Sequence, residues 1–125
     1  MKRLSTTLAQ SRQLVALGLD PATCDFVYTC EEGPFVFTGD LQDLALEDMT
    51  PAWTTEALLA LLPSGTTFLY SSRNGWHIEF VATNGLKGEI HYNSLKSTTS
   101  ALDAVYGLVA WLLESGHIRK GGAEL

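Results

Sequence analysis

The stretch from Ser100 to Gly116 constrains the fold most, because it encodes a complete helix with both ends marked. Its apolar residues recur at spacings of three and four, so one stripe of the helix faces a core. Ser100 suits the N-cap, Asp103 suits the third helical position, and Gly116 suits the left-handed residue that ends a helix. The buried stripe is predicted to comprise Leu102, Val105, Tyr106, Val109, Leu112 and Leu113.

Two other helices are predicted before this one. The first runs from about Leu4 to Leu17. Its apolar side comprises Leu4, Leu8, Leu14 and Val15. Asp20 before Pro21 suits the cap of a short helical turn. The second helix runs from Thr55 to Leu62, with Thr54 as its N-cap.

Two short runs between these helices predict a β-hairpin. Phe26 to Cys30 and Phe35 to Thr38 are rich in aromatic and β-branched residues, and they flank the turn sequence Glu-Glu-Gly-Pro. The acidic segment from Gly39 to Thr50 is compatible with a loop or with a short helix, and it stays unassigned.

The segment before the last helix alternates apolar and polar residues, which predicts a three-stranded meander. A three-residue loop at Thr83-Asn84-Gly85 places Ile78 opposite Ile90. The similar loop Arg73-Asn74-Gly75 places Tyr70 opposite Ile78, on the apolar side of the sheet.

Together these elements predict a single α+β domain over residues 1–125. The meander and the hairpin form a small antiparallel sheet, and the long C-terminal helix and two further helices pack on one face of it. Residues 119–125 are expected to form a flexible tail. The order of elements from Thr54 to Glu114 is similar to double-stranded RNA-binding domains in topology only, because no basic residue begins the last helix.

The charge balance limits the class of partner. The chain carries 14 acidic and 8 basic residues, for a net charge of −6. This balance argues against nucleic-acid binding, which depends on neutralising phosphates. One acidic region contains no Lys or Arg, and it is interpreted either as a solubilising surface or as a docking patch for a basic protein. Its acidic residues are Asp20, Asp25, Glu31, Glu32, Asp40, Asp43, Glu47 and Asp48.

Sequence features that would direct the chain to a membrane or to secretion are lacking. The N-terminal residues do not form a secretory signal, and no segment approaches the ~20 apolar residues of a membrane span. Cys24 and Cys30 are not spaced as a CxxC motif, so both are predicted to be reduced thiols of a cytoplasmic protein.

The predicted sheet register brings four possible metal ligands onto one face. It places His77 opposite His91 and Glu79 opposite Glu89, and these side chains suit zinc, iron or manganese. The alternative is an ordinary polar face exposed to solvent. The sequence contains no nucleophile elbow and no phosphate-binding glycine loop, so no catalytic residue and no cofactor is predicted.

Several segments spread over the chain carry a resemblance. They are Leu8-Ala9-Gln10-Ser11-Arg12, Leu17-Gly18-Leu19-Asp20-Pro21, Pro51-Ala52-Trp53, Leu58-Leu59, Leu61-Leu62-Pro63, Gly75-Trp76-His77, Ala101-Leu102-Asp103-Ala104-Val105-Tyr106 and Trp111-Leu112-Leu113-Glu114. On these segments the chain resembles a group of short uncharacterised proteins encoded by gut Bacteroides, their phages and their mobile elements. The resemblance implies the cytoplasm of a bacterial host, and it transfers no catalytic residue.

These observations favour a non-enzymatic protein–protein interaction module of phage or mobile-element origin, which binds a protein partner through its acidic surface. Two alternatives remain open at this point. One is a metal-binding domain or metal-dependent enzyme that uses the His/Glu patch. The other is a structural homo-oligomer such as a homodimer, formed through an unpaired sheet edge or an exposed apolar face.

Overall fold

The computed structural model describes residues 5–29, 34–36, 49–85, 88–94 and 98–118. Within these residues the chain forms an α+β fold of three α-helices and two three-stranded antiparallel sheets, as the sequence predicted for the class. The helices are α1 (Leu8–Ala16), α2 (Thr55–Leu59) and α3 (Ala101–Glu114). The strands are β1 (Phe26–Thr29), β2 (Pro34–Val36), β3 (Met49–Ala52), β4 (Thr66–Ser72), β5 (Gly75–Gly85) and β6 (Gly88–Asn93).

Helix α3 has the ends that the sequence predicted. The Ser100 hydroxyl accepts a hydrogen bond from the Asp103 N–H at 3.0 Å, which caps the first turn. Gly116 adopts a φ of 78° after the last turn, where a side chain would be strained. The N–H groups of Gly116 and His117 donate to the carbonyls of Leu113 and Leu112, which completes a Schellman motif. The predicted stripe is buried except for Tyr106, which is half-buried.

Helix α1 begins later than predicted and presents a different face to the core. Thr7 is its N-cap and forms a capping box with Gln10. Leu14 is buried, but Leu8 and Val15 are exposed. The prediction that Leu8 and Val15 lie on the buried side is therefore wrong.

Hydroxyl groups explain the orientation of α1. The Ser11 and Thr6 hydroxyls lie 2.7 Å apart in the interior, and Thr6 also accepts the Trp53 N–H at 3.1 Å. The Trp53 indole N–H donates to the Thr23 hydroxyl at 2.9 Å, and the Tyr28 hydroxyl donates to the Thr6 carbonyl at 2.7 Å. These bonds satisfy groups that burial would otherwise leave unpaired, so the polar side of α1 faces inward at this point.

The first sheet contains the predicted hairpin and one strand that the sequence did not predict. β1 pairs with β2, with Val27 opposite Phe35. β3 pairs with the other side of β1, with Val27 opposite Pro51. Proline is accommodated there because β3 lies at an edge of the sheet, where an N–H can be missing without loss of a ladder bond. The strand includes the last residues of the unassigned segment Gly39 to Thr50 and ends three residues before α2 begins.

The second sheet is the predicted meander in the order β4-β5-β6, but both predicted registers are wrong. The first hairpin closes on Ser72 opposite Gly75, which leaves a two-residue loop and places Tyr70 opposite His77 instead of Ile78. Gly75 has a φ of 125° and begins β5, so it is part of the strand pair and not the third loop residue. The change of one residue reverses the faces of β4.

The β5–β6 pair is shifted by an even number of residues. Ile90 lies opposite Ala82, four positions along β5 from the predicted Ile78, and an irregularity between Ala82 and Gly85 absorbs the extra length. An even shift leaves each side chain on its predicted face. Ile78, Phe80 and Ile90 are accordingly buried together.

The core lies between the inner face of this sheet and the helices. α3 packs on β4 and β5, α2 packs against α3, and α1 packs against β3. Trp53 is fully buried and joins the first sheet to this core. α2 is shorter than predicted, because Leu61 and Leu62 continue the chain with tighter bonds to residues three positions back.

Candidate functional site

The four predicted metal ligands do not converge. His91 lies opposite Val81 instead of His77, and Glu79 lies opposite Asn93 instead of Glu89, so the pairing that supported the metal prediction is wrong. His91 Nε2 approaches Glu79 Oε2 at 3.4 Å, which leaves two of the four groups in contact. Among the residues that the structure describes, no three His, Cys, Asp or Glu side chains are grouped to hold a metal ion. A zinc site uses three or four protein ligands.

The one-residue shift in the register of β4 instead exposes aromatic side chains on the face that points away from the core. Phe68 and Tyr70 are 54% and 50% exposed, although both are large apolar residues in a regular strand. They share the face of the sheet that points away from α3, and Val81 of the neighbouring strand is exposed there too. We call this surface the outer face; it comprises Phe68, Tyr70, His77, Glu79, Val81 and His91.

The outer face is ordered by contacts between neighbouring strands. The Tyr70 and His77 rings stack with their centroids 5.2 Å apart and their planes 19° apart. Cross-strand pairs of this kind stabilise a sheet and hold both side chains in one orientation. Phe68 lies opposite Glu79 at the next pair of the same register. The face therefore presents two exposed aromatic rings, of which Tyr70 is ordered by its stack on His77, with the Glu79 carboxylate opposite Phe68.

A serine and a histidine approach each other at the end of this face. Ser72 Oγ lies 3.1 Å from His77 Nε2, and the same oxygen accepts the Asn74 N–H at 3.2 Å. A serine nucleophile also needs a cleft that holds substrate and donors for the developing oxyanion. This contact is exposed at a hairpin tip, so we interpret it as part of the turn.

The two described residues of the predicted acidic patch have structural roles. The Asp20 carboxylate accepts the Ala22 N–H at 3.0 Å and caps the 3₁₀ turn Pro21–Thr23, as predicted. The Asp25 carboxylate accepts the backbone N–H of Thr54 at 2.9 Å and also the Thr54 hydroxyl. Asp25 therefore supports the cap of α2. The other residues of the patch lie outside the described residues: Glu31, Glu32, Asp40, Asp43, Glu47 and Asp48.

A surface groove of about 530 Å³ lies at the start of α3. Three of its polar side chains form hydrogen bonds within the fold: the Ser100 hydroxyl caps the helix, and the Asp103 carboxylate accepts from Gln10 Nε2 at 2.8 Å and from the Thr99 hydroxyl at 3.1 Å. Among the described residues, no histidine or cysteine contributes to its walls. The lining residues are Thr55, Trp76, Thr99, Ser100, Ala101, Leu102 and Asp103.

The one cysteine among the described residues is not an activated nucleophile. Cys24 is buried and free, in agreement with the predicted reduced thiol, whereas Cys30 lies outside the described residues. Burial raises the pKa of the Cys24 thiol, and the negative charge of Asp25 raises it further. A thiol with a raised pKa is a poor source of thiolate at neutral pH.

The exposed aromatic pair is the feature that sequence reasoning missed. The hairpin could instead have a two-residue loop, either Arg73-Asn74 or Asn74-Gly75. Both of these loops place Leu69, and not Phe68 or Tyr70, on the core side of the sheet. Loop length was thus the signal in the sequence that could have located the outer face.

Comparison of the chain with protein-family models, with curated proteins and with solved structures finds no match. Among the described residues, no helix combines the length and the apolar character needed to cross a membrane.

Proposed function

We propose that this chain is a non-enzymatic protein-interaction module whose binding surface is the outer face of the second sheet. The exposure of Phe68 and Tyr70 on adjacent outward positions of one strand is the observation that carries the proposal. Aromatic residues are enriched at the centres of protein interfaces, where they bury a large area at a small entropic cost.

The surroundings of the two rings suit an interface. The stack of Tyr70 on His77 holds one ring in place before binding, which reduces the ordering cost. Glu79 lies opposite Phe68 and contacts His91 of the next strand, and both of these polar side chains reach solvent, as the rim residues of an interface do.

The acidic patch proposed from the sequence becomes a secondary part of this hypothesis, because Asp20 and Asp25 are used within the fold. An origin in phage or mobile DNA is proposed on the resemblance of the sequence alone.

Site-specific crosslinking in the host cell tests the binding surface. A photoreactive amino acid replaces Tyr70 in one variant and Val15 in the control, because Val15 is also an exposed apolar residue but lies on α1. We expect a crosslinked adduct from position 70 and none of the same mass from position 15. Absence of any adduct from position 70 would overturn the proposal.

A binding measurement with the partner identified in this way completes the test. The double variant Phe68→Ser/Tyr70→Ser should bind the purified partner at least about tenfold more weakly, because each buried aromatic anchor contributes more than about 1 kcal/mol. The control double variant Leu8→Ser/Val15→Ser should bind like the wild type. Equal affinities of the two double variants would place the interface elsewhere.

A further inference from the structure

Strand β4 is an edge strand without the usual protection. It pairs with β5 on one side, and within the described residues no strand pairs with its other side. Its sequence, Thr-Thr-Phe-Leu-Tyr-Ser-Ser, contains no charged residue and no proline. Natural proteins protect exposed edges with charges, prolines or bulges, because an open edge pairs readily with another strand.

The hairpin geometry identifies the backbone groups available at this edge. A two-residue loop closes on a hydrogen-bonded pair, which here is Ser72 with Gly75. Backbone directions alternate along an antiparallel strand, so the N–H and C=O groups of Ser71, Leu69 and Thr67 point away from β5. These three residues provide the unpaired donors and acceptors.

The strand is also complementary to itself. Read from either end, it runs hydroxyl, hydroxyl, aromatic, leucine, aromatic, hydroxyl, hydroxyl, with Leu69 at the centre. A twofold axis at Leu69 would pair each residue with one of matching chemistry: Leu69 with itself, Phe68 with Tyr70, and Thr67 with Ser71. An isologous contact requires this kind of surface.

We propose that a second copy of this chain pairs with the β4 edge about a twofold axis at Leu69, so that the two sheets join into one. This inference rests on the proposed function, because it assigns the partner of a surface that includes Phe68 and Tyr70. The outward backbone groups of Thr67, Leu69 and Ser71 then form hydrogen-bonded pairs across the axis.

Side chains and charge both support this pairing. Phe68 and the symmetry-related Tyr70 occupy non-hydrogen-bonded positions, where opposed side chains approach most closely and aromatic pairs gain contact. The threonine and serine hydroxyls at the strand ends can hydrogen-bond in cross-strand pairs. Because β4 contains no Asp, Glu, Lys or Arg, the net charge of −6 on each copy is not brought directly into the contact.

Sedimentation equilibrium of the intact chain between about 1 μM and about 1 mM tests the pairing over the range of weak self-association. We expect a monomer–dimer equilibrium for the wild type. Ser71→Pro removes one outward N–H and no bond to β5, so it should shift the midpoint to at least tenfold higher concentration. Ser71→Ala keeps that N–H and should behave like the wild type.

Disulfide trapping tests the register without relying on the folding of the proline variant. In a Cys30→Ser background, Phe68→Cys and Tyr70→Cys chains are mixed under mild oxidation. Position 68 faces position 70 across the proposed axis, so the mixed disulfide should form at least several-fold faster than either homodimer. A preference for homodimers would refute the register.

The outcomes separate this inference from the proposed function. A wild-type chain that remains monomeric up to the highest concentration overturns the pairing of two copies, and so does a dimer that Ser71→Pro and Ser71→Ala affect equally. A monomeric chain that crosslinks another protein from position 70 would still support the interaction module. Failure of both experiments would overturn both proposals.

Discussion

Replacement of Asp25 by alanine should destabilise the fold far more than replacement of Asp20, although the sequence assigns both residues to one acidic patch. The Asp25 carboxylate accepts two hydrogen bonds from Thr54, from the backbone N–H and from the hydroxyl. The Thr54 hydroxyl in turn accepts the Ala57 N–H at 3.1 Å and caps α2. Removal of Asp25 therefore disturbs a chain of connected bonds.

The magnitude follows from the burial and charge of these bonds. Hydrogen bonds to a charged group contribute about 1.5–3 kcal/mol each, and removal of a helix cap costs about 1 kcal/mol. Asp25 is half-buried, so in the variant water can hydrogen-bond to some of the groups that Asp25 leaves unpaired. We therefore expect Asp25→Ala to lower the free energy of unfolding by about 2–3 kcal/mol. At about 4 °C per kcal/mol for a chain of this size, the melting temperature falls by about 10 °C.

Urea denaturation followed by tryptophan fluorescence provides the measurement, with Asp20→Ala as the matched control. Asp20 makes one exposed capping bond to the Ala22 N–H, so its loss should cost only about 0.5–1 kcal/mol. Asp25→Asn keeps an acceptor for the Thr54 N–H and should fall between the two. If Asp25→Ala proves no more destabilising than Asp20→Ala, the assignment of Asp25 to the α2 cap is incorrect.

Three other predictions concern packing, protonation and metal. Gly65→Ala should destabilise the fold by about 1–3 kcal/mol in urea denaturation, because its Cβ would lie 2.5 Å from the Val81 carbonyl oxygen. The control Gly107→Ala in α3 meets no such contact and should stabilise the fold by about 0.5–1 kcal/mol, because alanine favours a helix more than glycine does. Burial raises the pKa of the Cys24 thiol, so the protonated thiol favours the folded state below the unfolded pKa of about 8.5, and this contribution is lost as pH rises through the folded pKa. The stability difference between wild type and Cys24→Ala should therefore shift against the wild type as pH rises above about 8.5, and a constant difference would contradict the assignment. One equivalent of zinc should leave the melting temperature unchanged, because His91 has one carboxylate as its neighbour; a clear rise that His91→Ala abolishes would restore the metal-site hypothesis.

The features that the sequence predicted correctly depend on residues close together in the chain. The caps of α2, α3 and the turn at Pro21 each need a hydroxyl or carboxylate a few positions from the N–H that it accepts. The buried stripe of α3 follows from helical periodicity alone. These parts could be read without knowledge of their surroundings.

The features that the sequence did not predict depend on contacts between distant segments. β3 forms by pairing with β1 from a segment far along the chain, and Pro51 is tolerated because β3 lies at the edge of that sheet. α1 turns its Ser11 side inward because the Thr6 hydroxyl, which also accepts the Trp53 N–H, lies within hydrogen-bond distance of the Ser11 hydroxyl. The spacing of apolar residues predicted the wrong buried side for α1, because that spacing does not account for hydroxyl groups that are buried and hydrogen-bonded.

The candidate site shows the same division. By itself the sequence determined an α+β fold, a long buried C-terminal helix, and a meander in which two aromatics alternate with a leucine. Only the tertiary structure decided which of these residues faces solvent, because a hairpin loop shorter by one residue reverses every side chain of a strand. Leu69 packs half-buried against the core, which leaves Phe68 and Tyr70 on the outer face, and this outcome depends on strand register rather than on residue type.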